Sequence, residues 1–594
     1  MCGIVGYIGK RDAQPILVNS LKKLEYRGYD SCGVAVVNSG VHVYKDVGRI
    51  GHLELTLPRN GGQVGIGHTR WATHGKPSQP NAHPHLDCVG KIAVVHNGVI
   101  DNYQALREQL TEEGHVFRSE TDTEVIPHLI EKYFHGDLNQ AVKRALLDVE
   151  GSYALIVLHA DCSELAVARR GSPLIVGVGD GEYFIASDVP AVLDYTDRVI
   201  YFEDEDVGLI TKEGIRITNN SEELSREEHR ITWSAEDTQK GGYEHYMLKE
   251  IHEQPRVIQD TLRGRIWTIE PQVDLGINTY GRITDVFIPV CGTSYHAALV
   301  GKHLIEKLCQ IPVRVDLASE FNYSTTLLNK TLVIGITQSG ETADTLMALK
   351  KASVMGCSTL AITNTVGSSI TRIADQTFYI KAGPEICVAA TKTFIGQLIA
   401  MYLFALSLAV GGVKHRGKLI SELKQLPNIV QTVLDNQSLI AKYGGYLSQY
   451  ESIFLIARGL NYPVALEGAL KLKEIAYIHA EGFPAGELKH GPIALLTPQT
   501  PVVAIAAQDQ TYDTMIANIN EIKARESVVI AVAGEDDYEI AKHADFVIRV
   551  PSTDPILSPV VNSVAIQLLA YYAAKERGCP IDMPRNLAKC VTVE

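Results

Sequence analysis

The chain has 594 residues, 45% of them hydrophobic and 21% charged, and a net charge of -14. That composition is ordinary for a globular protein of about three or four domains, and without a basic stripe to neutralise phosphates it excludes nucleic acid as a main partner. The ten cysteines form no C-x-x-C pair, so they read as thiols of a reducing, cytoplasmic compartment rather than a disulfide framework, and the start lacks the basic-then-apolar layout of a secretory signal.

The first informative residue is Cys2, in Met1-Cys2-Gly3-Ile4. Removal of the initiator methionine is expected, leaving a residue that carries both a thiol and an α-amine. The amine can take the thiol's proton. At pH 7 roughly 10% of an α-amine is unprotonated, against about 0.04% of a lysine. Short β-like runs at 33–37, 91–95, 153–157 and 207–210, with amphipathic helices around 12–25 and 121–134, predict an α+β layered domain over 1–218.

Three segments of that domain carry chemistry. His68-Thr69-Arg70-Trp71-Ala72-Thr73-His74-Gly75 offers an arginine fork suited to a carboxylate, or a surface ion pair. His96-Asn97-Gly98 places a side-chain amide and a backbone N–H where an oxyanion could form, or makes a plain turn. In Ser119-Glu120-Thr121-Asp122-Thr123-Glu124, Asp122 could hold an ammonium or cap the helix that follows. Together they describe a site for an α-amino acid bearing an amide: Arg70 on the carboxylate, Asp122 on the ammonium, Cys2 attacking the amide. The histidines at 68, 74, 83, 85 and 96 show no tight ligand set with carboxylates, and no metal is expected.

Residues 219–245 are polar and read as a linker. Beyond them the chain repeats: Val286–Val290 recurs at Ile453–Ala457, Leu332–Ile336 at Val502–Ala506, and Leu360–Ile362 at Val529–Ala531. Offsets of 167 to 170 residues imply a duplicated domain, 246–425 and 426–580. Each copy alternates β-runs with helical patterns, so each should be a doubly wound α/β parallel sheet. The apolar run Phe394–Val413 approaches membrane-spanning length but is interrupted by Gln397 and Ser407, so it reads as a buried helix and no membrane partner is expected.

In the first copy, Thr337-Gln338-Ser339-Gly340-Glu341-Thr342 follows one strand and Cys291-Gly292-Thr293-Ser294 another. Hydroxyls and free N–H groups at helix starts make an anion cradle, or an ordinary cap. The second copy replaces the first of these loops with Gln508-Asp509-Gln510-Thr511-Tyr512-Asp513, which suits a phosphate poorly. It carries instead Glu467, Lys471 and Glu474 on one helix face, either a solvated ion-pair ladder or a catalytic wall.

The blocks at 2–4, 26–31, 68–75, 81–85, 96–98 and 119–124 resemble the class II glutamine amidotransferases, N-terminal-nucleophile hydrolases of αββα fold. The second half resembles paired sugar isomerase (SIS) domains. The resemblance implies Cys2 as nucleophile and base, Asn97 and Gly98 as oxyanion hole, Arg70, Thr73, His74 and Asp122 as glutamine clamps, and Trp71 as gate to an ammonia channel. It implies Thr293, Ser294, Thr337, Gln338, Ser339, Thr342, Val388, Lys471, Glu474 and Ala588 around a sugar phosphate. Glu474 would move a proton between sugar C1 and C2, His490 would assist ring opening from a neighbouring subunit, and Lys589, in a tail at 581–594, would form a Schiff base. Thr337 stands where the family usually has Ser, and Ala390 where it usually has Ser. The implied activity is glutamine-dependent conversion of fructose 6-phosphate to glucosamine 6-phosphate by a homodimer joined through its SIS domains, without cofactor. A sugar-phosphate sensor with a degenerate amidotransferase half is the rival, and the complete set of expected residues speaks against it.

Overall fold

The computed structural model describes residues 2–592 except 59–60, 221, 232–235, 237–238, 268–271, 278–282, 325–329 and 410–415. Parts of the expected linker, residues 410–413 of the apolar run and the last two residues of the tail therefore lie outside the described residues. The chain forms two compact units, Met1–Thr238 with Ala588–Glu594, and Gln239–Leu587.

The first unit is built on two antiparallel sheets. One runs Glu228–Arg230, Arg198–Tyr201, Ile175–Val178, Tyr183–Ala186, Gly3–Ile8, Val64–Arg70, Ser31–Val37, Val41–Val47 in spatial order; the other runs from Glu222–Leu224 through Gly151–His159 and Ile92–Ile100 to His85–Leu86. The strand Gly151–His159 is apolar on both faces, and alternation sorts its side chains. Ala154, Ile156 and Leu158 face the first sheet, packing with Ile4, Ile8 and Ile66. Tyr153, Leu155 and Val157 face the helices, packing with Ile126, Leu129, Ile130 and Val142. The helix Ala13–Lys22, capped by Asp12, which accepts from Gln14 N, covers the outer face of the first sheet. Helix, sheet, sheet, helix is the layering the resemblance implied.

The expected linker at 219–245 begins too early. Glu222–Leu224 pairs with Ile215–Asn219, and Glu228–Arg230 pairs with Arg198–Tyr201. Both are exposed edge strands, and edge strands carry charge where inner strands carry alternating apolar residues. Their composition therefore resembles a linker.

The second unit contains two five-stranded parallel sheets. Their orders are Val313–Leu317, Asp285–Val290, Thr331–Thr337, Ser358–Thr363, Gln376–Tyr379, and His479–Pro484, Ser452–Ala457, Val502–Ala506, Val529–Gly534, Phe546–Val550. Numbered within each copy, both read 2-1-3-4-5, so the duplication extends to topology. It extends to packing as well. A Cβ on Gly301 would lie 2.2 Å from Met401 Cε, and one on Gly468 would lie 2.4 Å from Ile566 Cγ2. In each copy a glycine lets the first helix (Gly292–Cys309, Tyr462–Ala476) press against the last (Lys392–Leu408, Ser558–Glu576). The apolar run lies in the helix Lys392–Leu408, which is buried in a core shared by both copies; among the described residues no helix is long and apolar enough to cross a membrane. The copy boundary expected at 425/426 is misplaced, because it cuts the continuous helix Arg416–Asp435, which runs through Pro427.

Candidate functional site

The first constellation forms where strand Gly3–Ile8 begins beside the end of Val64–Arg70, with Gly3 opposite Thr69. Trp71 N donates to Cys2 Sγ at 3.3 Å, and Cys2 Sγ lies 3.5 Å from Trp71 O. Asn97 Nδ2 donates to the Cys2 carbonyl at 2.9 Å. Burial pushes the Cys2 thiol up, and the Trp71 N–H and the Arg70 charge only partly offset this. A thiol held protonated needs a base for attack, the role an α-amine on the same residue can fill.

Arg70 is 3% exposed. Its Nη2 donates to the backbone oxygens of His74 and Gly75, while Nη1 is buried without a hydrogen-bond partner. An unsatisfied guanidinium edge in a buried site suits a carboxylate, and the surface ion-pair alternative fails on burial. Asp122 does not cap the following helix with its side chain: it accepts from Ile100 N at 2.9 Å, and Val125–Tyr133 has no side-chain cap. Its carboxylate is thereby held at the end of the strand that carries Asn97 and Gly98.

Gly98 has φ +136°, and a Cβ there would fall 2.0 Å from Ser152 O. Only glycine fits, and the plain-turn alternative fails because the residue lies within strand Ile92–Ile100, paired with Tyr153. His74 is partly buried with its ring edge-on to Tyr103, while Thr73 is exposed. Two supports escaped the sequence reading. Asp30 accepts from Ala72 N at 2.8 Å and so steadies the Trp71 loop. His96 Nδ1 meets Thr123 Oγ1 at 2.8 Å, tying the Asn97 strand to the Asp122 segment.

His68 and His83 stack with ring centroids 4.0 Å apart, and His85 packs edge-on to His83. Burial holds all of them, with His96, below the ordinary histidine range, His68 down to about 3. These are neutral core imidazoles.

The second constellation joins the two repeated copies of the second unit. Thr293, in the first turn of Gly292–Cys309, donates to Glu467 Oε1 at 3.1 Å; His296 Nδ1 meets Glu467 Oε2 at 2.7 Å. Lys471 Nζ donates to Thr293 Oγ1 at 3.3 Å, lies 3.3 Å from Glu467 Oε1, and bonds Glu474 Oε2. Lys471 is wholly buried. Burial opposes its charge, but Glu467 and Glu474 outweigh that and hold its pKa above the usual lysine value. For Glu467 burial pushes upward, and Lys471 and His296 win, leaving it below the ordinary carboxylate range. The solvated-ladder alternative is therefore wrong for Glu467 and Lys471. His296 was missed; its place one helical turn from Gly292 is the signal that could have found it.

Thr337 and Thr342 hydroxyls meet at 2.8 Å, and Ser339 Oγ accepts from Glu341 N at 3.1 Å. Gln338 O, accepting from Asn364 N at 3.2 Å, pins the loop to the next strand end. Ser294 is nearly buried in the neighbouring helix start. The corresponding loop of the second copy folds on itself: Asp509 Oδ1 accepts from both Thr511 N and Thr511 Oγ1, at 2.7 and 2.6 Å. Its own carboxylate occupies the donors an anion would need.

Val388 is buried, with its N–H bonded to Asp582 O at 3.1 Å. His490 is exposed at the end of the turn Ala485–His490. The expected tail divides: residues up to Leu587 belong to the second unit, while Ala588 and Lys589 group with the first, where burial of Cys590 anchors them.

Two family models match parts of the chain. A glutamine amidotransferase domain matches residues 68–194, and the SIS domain matches 285–407 and 446–577. Over the full length of both chains, the sequence is 50% identical to a glutamine–fructose-6-phosphate aminotransferase (isomerizing) of Methanosarcina acetivorans, and 47% identical to one of Thermus thermophilus. The solved C-terminal domain of glucosamine-fructose-6-phosphate aminotransferase from Francisella tularensis aligns at TM-score 0.56 and 37% identity, covering 58% of this chain and 100% of that one. The chain belongs to the glutamine–fructose-6-phosphate aminotransferase (isomerizing) family.

Proposed function

We propose that this chain releases ammonia from glutamine at Cys2 and uses it to convert fructose 6-phosphate to glucosamine 6-phosphate, as the first step of amino-sugar synthesis. The observation that carries the reading is the 50% identity over the whole of both chains to an enzyme of that name. Cys2 Sγ attacks the glutamine amide carbon, its proton passing to the α-amine freed by methionine removal. The Asn97 amide and Gly98 N–H receive the oxyanion, with Arg70 Nη1 on the substrate carboxylate and Asp122 on its ammonium. Thr73 and His74 close over the glutamine, and Trp71 gates the ammonia leaving it.

In the sugar unit the hydroxyls of Thr293, Ser294, Thr337, Ser339 and Thr342, with Gln338, hold the phosphate. Lys589 is the residue that, by the family resemblance, forms an imine with the open-chain ketose. Glu474, poised by Lys471, moves the proton between C1 and C2. His490 assists ring opening from the second subunit of a homodimer, and the cytoplasm supplies both substrates. Incubation with amide-¹⁵N glutamine and fructose 6-phosphate, read by mass spectrometry, should give a ¹⁵N-labelled hexosamine phosphate. Glutamate release with no labelled amino sugar would refute it.

A further inference from the structure

No metal is expected from the histidines at 68–96, and none of them belongs to a second polar cluster on the helical face of the first unit. Four side chains converge there: Cys88, just after strand His85–Leu86; His115, just after helix Tyr103–Glu112; and His128 and Glu131, three residues apart on helix Val125–Tyr133. Their ligand atoms all lie within 4.8 Å of one another. Cys88 Sγ is 3.5 Å from Nδ1 of both His115 and His128, and Glu131 Oε2 is 3.0 Å from His115 Nδ1 and 3.5 Å from His128 Nδ1.

Three of these four separations, at 3.5 Å, fall within the range of zinc tetrahedron edges, and the fourth, His115 to Glu131 at 3.0 Å, is slightly shorter. Ligands about 2.0–2.3 Å from a zinc ion stand about 3.3–3.8 Å apart. A purely hydrogen-bonded cluster fits less well. Each Nδ1 faces both the sulfur and the carboxylate oxygen, and its one proton satisfies only one of those two edges, whereas a central cation satisfies all four donors. The surroundings are those of a ligand set. Glu131 Oε2 also accepts from Cys88 N at 3.2 Å, and the far nitrogen of His128, which is 1% exposed and without a hydrogen-bond partner, faces Glu124 Oε1 at 4.0 Å. Cys88, His115 and Glu131 are each partly exposed, which leaves an entry path.

We propose that Cys88, His115, His128 and Glu131 form a structural zinc site. One thiolate, two imidazoles and one carboxylate complete a tetrahedron of soft and borderline donors with no open position, which selects Zn²⁺ over hard cations and gives it no hydrolytic role. The site ties the loop after strand His85–Leu86 to the helix preceded by the Asp122 segment, and so braces one wall of the amidotransferase pocket.

The test uses the full-length protein, loaded with zinc, passed over chelating resin and analysed by inductively coupled plasma mass spectrometry. About one zinc per chain is expected, falling at least tenfold in both Cys88→Ser and His115→Ala. Replacement of zinc by Co²⁺ in the wild type should give the d–d bands of a tetrahedral site and a thiolate-to-cobalt charge-transfer band. Wild-type protein with less than about a tenth of an equivalent of zinc would overturn the proposal. Variants that keep the wild-type metal content would do so too, as would a cobalt spectrum without thiolate ligation, which needs no variant to fold.

Discussion

Gly98→Ala tests the geometry of the amidotransferase pocket more sharply than removal of a reactive group. The residue sits at φ +136° with an added Cβ 2.0 Å from Ser152 O, 2.6 Å from Ser152 C and 2.9 Å from His96 Nε2. The two nearest atoms are backbone of the paired strand, so no side-chain rotation relieves the clash. The φ strain costs about 1–3 kcal/mol and the overpacking about another 1–3 kcal/mol. Relief requires the strands to part near Gly98, which moves its N–H away from the developing oxyanion. Loss of one such donor lowers kcat roughly 10²–10³-fold. The assay is glutamate release from glutamine, with Gly90→Ala as control. Gly90 also has positive φ, +74°, but nothing within 4 Å of the added Cβ, so its variant should lose about 1 kcal/mol with unchanged kcat. A Gly98→Ala enzyme within threefold of wild-type kcat would refute the placement of its N–H in the oxyanion hole.

Four further outcomes are expected. Cys2→Ala should abolish glutamine use and leave fructose 6-phosphate binding intact by calorimetry; residual turnover at the normal rate would remove Cys2 from the chemistry. Lys589→Arg keeps the charge but not the imine, so borohydride should no longer trap the sugar on the protein, and an undiminished adduct would rule the role out. Lys471→Leu leaves the buried Glu467 carboxylate with only His296 and Thr293 as partners and should cost up to about 3–5 kcal/mol, whereas Glu467→Val with Lys471→Leu should recover most of that and still lack isomerisation; equal losses by denaturant titration of the two variants would contradict the pairing. His68, His83, His85 and His96 are folded neutral with lowered pKa values. The unfolded chain takes up protons below about pH 6.5 and the fold does not, so the thermal transition of the first unit should fall steadily from pH 6.5 towards 4; a flat profile would mean these imidazoles are not held neutral.

Much of this was legible in the sequence because the signals were local. A β-run followed by a hydroxyl-rich turn marks a strand end at 337–342, and the same run displaced by 170 residues at 502 marks its copy. Arg70, Asn97, Gly98 and Asp122 stand in short blocks whose residue types match one chemistry. What escaped depended on contacts between distant segments. The edge strands Glu222–Leu224 and Glu228–Arg230 are polar because one side faces water, and only pairing reveals them. His296 acquires meaning from Glu467, 171 residues away. Cys88 and His115 are 27 residues apart, with no ligand spacing that a linear reading would notice.

The duplicated half shows that the buried charges of Glu467 and Lys471 are not what this helix packing needs. With Gly301 and Gly468 as matching positions in the two copies, Glu467 and Lys471 correspond to Val300 and Leu304, both fully buried. The first copy thus fills the same helix face with hydrocarbon and packs it in the same way. Burying an ion pair where an apolar pair suffices gains no stability and often loses about 1–4 kcal/mol. The reverse divergence affects the loops: Thr337 to Thr342 keep their hydroxyls and helix start, while Asp509 closes the second copy's turn with its own carboxylate. Each copy thus carries a feature the other lacks: the hydroxyl-rich loop in the first, the buried charges in the second. The bond from Thr293 to Glu467 joins the helix start of the first copy to the charged helix of the second, so neither copy alone holds both features.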